Sequence, residues 1–177
     1  MPTVDLKNEA FAVWITGLPA SGKSTITSAL QAQLAERGVR IAVLESDALR
    51  KVFKADYSPE GRFAFYRQMV FVGSLLVEHG VPVIFDATAN LRAYREHARH
   101  EISRFVEVYV DVPLEACMAR DPKGIYRSAG TGEAKHVPGL QDAYEPPLSP
   151  EVIVHGGNPG SDARLIVEKL AEKGYVK

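Results

Sequence analysis

Residues 17–25 read GLPASGKST, which fits the pattern G-x-x-x-x-G-K-[ST] at Gly17, Gly22, Lys23 and Ser24. The stretch before it, Phe11-Ala12-Val13-Trp14-Ile15-Thr16, is apolar and β-branched, and Ile26 to Arg37 after it has helical composition. Strand, glycine loop and helix come in the order that a phosphate cradle requires. The glycines let backbone N–H groups wrap phosphate oxygens, and the helix presents its positive N-terminal end. Lys23 reaches the β- and γ-phosphates, the Ser24 hydroxyl ligates Mg²⁺, and Ser21 and Thr25 complete the cradle. A glycine-rich surface turn that binds nothing would need neither flank. The chain is therefore read as gripping a nucleoside triphosphate.

The bulk composition is that of a compact globular enzyme. With 177 residues, 24% charged and 46% apolar, the chain suits one domain spanning 1–177 with a sizeable core. Its net charge of −1 gives no global basic field, which argues against a duplex-binding protein. The lone Cys117 cannot form an internal disulfide, so a reducing cytoplasm is the expected setting. No apolar run approaches the roughly 20 residues needed to span a bilayer. The first ten residues, MPTVDLKNEA, lack the charged head and apolar core of a signal peptide.

Apolar runs then alternate with helical stretches, the pattern of a parallel sheet wound on both faces. Strands are expected at 11–16, 40–44, 81–85, 105–110 and 152–154. Helices are expected near 23–37, 48–53, 59–78, 91–103, 114–120 and 163–173. Gly38 and Gly80 sit where helices should stop, and Pro59 and Pro113 near helix starts. The fold class is α/β, a P-loop NTPase-type three-layer sandwich with a parallel sheet and a lid loop. The lid is residues 121–150, rich in Gly, Pro and charge, with little periodicity and long for a connection in a compact domain.

In such a sheet the ligand site lies at the carboxyl ends of the strands. After the second strand comes Glu45-Ser46-Asp47-Ala48-Leu49-Arg50. Asp47 there can hold Mg²⁺ or accept a proton from an attacking hydroxyl, with Arg50 one helical turn later facing the same cleft. Ser46 or Asp47 capping the next helix is the plainer alternative, and capping leaves room for both roles. The third strand closes on Asp86, the place of a metal-binding acid beside the phosphate loop. The helix from Pro59 carries Arg62, Arg67 and Gln68, which could form an anion pocket or a solvated face. His97 and His100, three apart, lack the further ligands of a zinc site. A regulatory GTPase would need a guanine-reading N-K-x-D, and none is present. A small-molecule kinase needs a phosphate loop, an acid near the acceptor and a closing lid, and all three are here.

The stretch Tyr109 to Pro146 reads YVDVPLEACMARDPKGIYRSAGTGEAKHVPGLQDAYEP. It resembles the lid region of adenylylsulfate (APS) kinases, whose hallmark is close to V-D-x-P-L-E-x-C-x-x-R-D-P-K-G-x-Y. The match runs through Asp111, Pro113, Leu114, Glu115, Cys117, Arg120, Asp121, Pro122, Lys123, Gly124 and Tyr126. WITGLPASGKST and the spacing to Asp47 and Arg50 agree as well, so the resemblance covers nearly the whole chain.

The resemblance implies ATP-dependent phosphorylation of the APS 3′-hydroxyl to phosphoadenylylsulfate, in sulfate assimilation, with Mg²⁺ and commonly as a homodimer. On matching positions it implies that Lys23 and Ser24 bind ATP phosphates and Mg²⁺ and that Asp47 is the acid near the acceptor hydroxyl. Arg50 and Arg62 would hold the acceptor's anionic part, and Tyr57 would stack on its adenine. Arg120 would contact the ATP base, and Lys123 would bring a cation to the phosphates. The chain departs from the family's pattern at Glu45-Ser46-Asp47, where D-G-D is usual. Phe65 replaces an asparagine that touches APS, Ala89 a serine, and Val137 the second aromatic wall. Phe85 to Arg92, FDATANLR, also looks like the D-A-T-N-L segment of polynucleotide-kinase-like enzymes. A kinase for another nucleotide-linked or polynucleotide hydroxyl, or a non-catalytic nucleotide-dependent module, therefore stays open.

Overall fold

The computed structural model describes residues 10–177, so the reading of the first residues as free of a signal sequence lies outside the described part apart from Ala10. Five parallel strands form one sheet in the order β2-β3-β1-β4-β5, with β1 at Ala12–Thr16, β2 at Ala42–Glu45, β3 at Val83–Asp86, β4 at Phe105–Val110 and β5 at Val152–Val154. Alternation along β1 divides the core. Phe11, Val13 and Ile15 face Ile26, Leu30 and Leu34 of α1 (Lys23–Glu36) and Ile166 and Leu170 of α7 (Pro159–Glu172). Ala12 and Trp14 face Phe65, Tyr66 and Met69 of α3 (Pro59–Glu78) and Tyr94 and Ala98 of α4 (Arg92–Glu101). Both faces of the sheet are thus covered, which gives the expected three layers. Trp14 is fully buried, stacks on Phe85 with ring centres 4.7 Å apart, and donates its indole N–H to the Ala87 carbonyl at 3.1 Å.

Local sequence sets the helix starts. Gly22 precedes α1 with φ +103°, a left-handed conformation that a side chain would oppose. Ser58 caps α3 by accepting from Gly61 N at 3.1 Å, and Asn158 caps α7 by accepting from Ser161 N at 3.0 Å, each followed by a first-turn proline. That Asn-Pro start puts α7 four residues ahead of the expected Ala163. Helix α2 (Ser46–Phe53) begins with Ser46 and Asp47 inside its first turn, and no side chain caps it, so Asp47 is not a capping residue. Strands β2 and β3 each end on an acid, Glu45 and Asp86.

Residues 121–150 were expected to be an irregular lid, and they are partly helical. After α5 (Leu114–Arg120), α6 (Ile125–Gly130) forms one short turn-and-a-half that ends in Gly130 and offers too few residues for a periodic signal. Tyr126 of α6 is buried and donates to the Pro19 carbonyl at 2.9 Å, and Val137 enters the core. The lid thus lies folded across the phosphate loop.

Candidate active site

A cleft of about 980 Å³ opens at the carboxyl ends of the strands, the size of a site for a sizeable ligand. Gly22, Lys23, Ser24 and Thr25 line it, as do Arg50, Tyr57 and Arg62. Asp86 and Asp47 also line it, Asp47 close enough to act on both Lys23 and Tyr57, with Lys123, His136 and Val137 contributed by the lid. Gly17 and Ser21 do not line the cleft. They shape the loop from beneath, where Ser21 is fully buried with its hydroxyl unpartnered.

Lys23 Nζ donates to the carbonyls of Gly17 at 3.1 Å and Leu18 at 2.8 Å. Desolvation lowers its pKa to about 8, against the pull of Asp86 and Asp47 in the opposite direction. The ammonium is held over the loop in a place where an incoming anion would favour its charged form. Asp86 is 4% exposed and makes no ion pair or side-chain hydrogen bond among the described residues. Its side chain lines the cleft near Lys23, where the carboxylate oxygens stand open to a hard cation. With the exposed Ser24 it forms an oxygen donor set that fits Mg²⁺. No cluster of three metal-binding His, Cys, Asp or Glu side chains exists among the described residues.

Asp47, also expected among the metal ligands, is paired with Lys123. Its Oδ2 accepts from Lys123 Nζ at 2.7 Å, and this hydrogen bond raises the lysine pKa above its ordinary value. The two residues expected to meet at phosphoryl transfer therefore touch across the cleft. Arg50 is 6% exposed and sandwiched, its guanidinium carbon 4.4 Å from the Tyr57 ring centre and 4.0 Å from that of Phe65, with Nη1 donating to the Asp56 carbonyl at 2.7 Å. Phe65 accordingly sits behind Arg50 in the core and does not line the cleft. Tyr57 keeps half its surface exposed, so one face remains for stacking.

Arg62 lines the cleft but is committed to the lid. Its Nη1 meets Asp142 Oδ2 at 2.5 Å and its Nη2 donates to the His136 carbonyl. The anion pocket expected from Arg62, Arg67 and Gln68 is not formed as a group. Arg67 and Gln68 are exposed on the outer face of α3, and Arg67 lies 5.7 Å over the Phe63 ring. Ala89 is buried at φ +42° and does not line the cleft, whereas its neighbours Thr88 and Asn90 do. Arg120 lines the cleft beside Gly156 and Pro159. These two, with Thr88, Asn90 and His136, are site residues that the sequence reading missed. The Gly156-Gly157-Asn158-Pro159 run directly after β5 was the available signal, since it too follows a strand end.

The sequence pattern of the adenylylsulphate kinase family matches residues 9–155. The chain belongs to the adenylylsulfate kinase family. The adenylyl-sulfate kinase of Microcystis aeruginosa is 41% identical over 97% of this chain and 97% of its own length. The probable adenylyl-sulfate kinase of Pyrococcus abyssi is 37% identical over 95% and 99%. Among solved structures, the Mycobacterium tuberculosis APS kinase in complex with AMPPNP and APS superposes with a TM-score of 0.88 at 31% identity, covering 92% of this chain and 98% of that one. No helix among the described residues is long and apolar enough to cross a membrane.

Proposed function

We propose that the protein transfers the γ-phosphoryl group of ATP to the 3′-hydroxyl of adenylylsulfate, giving phosphoadenylylsulfate and ADP. The observation that carries this reading is the one cleft lined by Lys23 and Ser24, by the Arg50–Tyr57 stack and by the Asp47–Lys123 pair, with Asp47 near both Lys23 and Tyr57. Family membership supports the same acceptor.

In the reaction the acceptor oxygen forms a bond to the γ-phosphorus, the bond from that phosphorus to the β,γ-bridging oxygen breaks, and the hydroxyl proton passes to Asp47. Lys23 and Lys123 stabilise the charge on the transferring group, and the folded lid excludes water. Ser24 and Asp86 would hold Mg²⁺, which when bound neutralises phosphate charge. Tyr57 stacks on the acceptor's adenine, Arg50 faces its anionic part, and Arg120 with Gly156 and Pro159 borders the ATP base. Arg62 is assigned to the acceptor through the lid that it holds. The lone, buried Cys117 accords with a cytoplasmic setting, and self-association as a homodimer belongs to the same proposal.

An acceptor screen with ATP and Mg²⁺ tests it. APS, other nucleotide conjugates and 5′-hydroxyl oligonucleotides are offered in parallel and products are weighed by mass spectrometry. A gain of one phosphoryl group on APS supports the reading. A product only on an oligonucleotide, or ATP hydrolysis with no phosphorylated acceptor, overturns it.

A further inference from the structure

Two of the sets of contacts that hold the lid differ in kind. At its tip, Lys123 pairs with Asp47 through side chains that are 57% and 46% exposed. At its other end, residues 143–146, part-buried contacts bind it to the loop after β3. Glu145 N donates to the Asn90 carbonyl at 2.7 Å, and Asn90 Nδ2 returns a bond to the Ala143 carbonyl at 3.0 Å.

Two side chains outside the cleft fasten this foot. Arg95 is 1% exposed, and its guanidinium reaches three segments at once: Glu107 of β4 at 2.7 Å, the Glu145 carbonyl at 2.7 Å, and the Ala89 carbonyl. Tyr144 shares a hydrogen bond of 3.0 Å with Thr16 Oγ1, which itself donates to the Thr88 carbonyl at 2.5 Å, directly ahead of Gly17. The foot, the β3–α4 loop and the start of the phosphate loop are therefore one connected unit. An exposed ion pair opens at little cost, whereas a buried guanidinium with every nitrogen hydrogen-bonded does not. Of these two sets, the Lys123–Asp47 contact is the one that opens more readily.

We infer that Arg95 and Tyr144 are positioning residues for the acceptor, acting through the lid foot. They hold Thr88 and Asn90 against the cleft and fix the point from which Asp142 reaches Arg62. The kinetic arm of the following test rests on the APS kinase reading, and the exchange arm does not.

Tyr144→Phe removes one hydroxyl at constant volume, and Arg95→Lys keeps the charge facing Glu107 but loses the three-way fork. Each is expected to raise the KM for APS about five-fold, the worth of one net hydrogen bond, with the KM for ATP changed less than about two-fold. In hydrogen exchange, both variants speed up the Glu145 amide while the β1 amides stay slow. In the unaltered protein, AMPPNP with APS protects residues 123–142 and leaves the already slow Glu145 amide unchanged. A fall in melting temperature with both KM values unmoved reduces the two residues to fold stability and overturns the inference. Strong new protection at Glu145 on ligand binding also overturns it. If the unaltered protein does not phosphorylate APS, the functional reading fails, and the exchange results on Tyr144→Phe still decide whether the foot is anchored.

Discussion

Lys123→Ala separates chemistry from stability. Both side chains of the Lys123–Asp47 pair are roughly half exposed, and pairs of that kind contribute about 1 kcal/mol or less. For a domain of this size such a loss moves the melting temperature by at most about 2–4 °C. Catalysis responds on another scale. A cation held ready for developing charge in a closed site resembles an oxyanion-hole donor, whose removal costs about 10²–10³ in kcat. The expected outcome is a fall of that size in kcat, with the KM for ATP changed far less and Lys123→Arg retaining part of the rate. Steady-state assays of ADP release with acceptor present give the kinetic values, and a thermal melt gives the stability. The lysine pKa is raised by its Asp47 hydrogen bond. A raised lysine contributes its stabilisation below its unfolded pKa and loses it as pH climbs through the folded value, so the pair persists throughout neutral pH. A fall in kcat of less than about ten-fold, or one explained by the unfolded fraction, would refute the role given to Lys123.

Lys23 carries a pKa of about 8 in the free protein, and a bound triphosphate favours its charged form, so ATP binding near pH 9 should take up a proton and weaken as pH rises. Calorimetry in buffers of differing ionisation enthalpy reads this directly, and zero uptake would contradict it. The same depressed pKa makes the free protein's Lys23 a burden below about pH 8 that fades as pH climbs through the unfolded value of 10.5. Asp86→Asn removes a carboxylate that lines the cleft, so the Mg²⁺ concentration for half-activation should rise about 10–100-fold, as for other weakened metal sites. An unchanged Mg²⁺ titration would remove Asp86 from the metal site. Gly156→Ala places a Cβ 2.6 Å from the Ser21 carbonyl at a residue with φ +64°, a strain of roughly 1–2 kcal/mol. A raised KM for ATP at unchanged KM for APS is expected, and the reverse pattern would move Gly156 out of the ATP side.

The strands, the phosphate loop and the acids at strand ends were legible because each is written locally. Alternation marks β1, a glycine spacing marks the loop, and Glu45 and Asp86 close two apolar runs. The misses have a different physical origin. Helix α6 is too short to show a period, and its place depends on Tyr126 finding the Pro19 carbonyl 107 positions away. Arg62 was legible as an anion binder from its residue type. Its partner Asp142 lies 80 positions distant, so nothing local distinguishes a guanidinium meant for substrate from one that holds the lid. Arg67 and Gln68 failed for a simpler reason. One residue, a rotation of about 100°, separates Arg67 from buried Tyr66, and only tertiary packing says which side of α3 faces inward.

Phe65 shows how far a change of residue can differ from a loss of function at a site. Read as a replacement for an asparagine that contacts substrate, it suggests a weakened acceptor pocket. Its ring instead covers the inner face of Arg50 at 4.0 Å, while Tyr57 covers the outer face at 4.4 Å. An aromatic face against a desolvated guanidinium contributes about 2 kcal/mol, and two faces leave Arg50 little freedom to turn. With Nη1 fixed on the Asp56 carbonyl, the remaining N–H edges are presented in one orientation. An adenine on the open face of Tyr57 would extend the same stack to four layers. A wall lost at Val137 is then partly offset by a stiffer wall opposite, because binding to a surface already held in place avoids the entropy of ordering it.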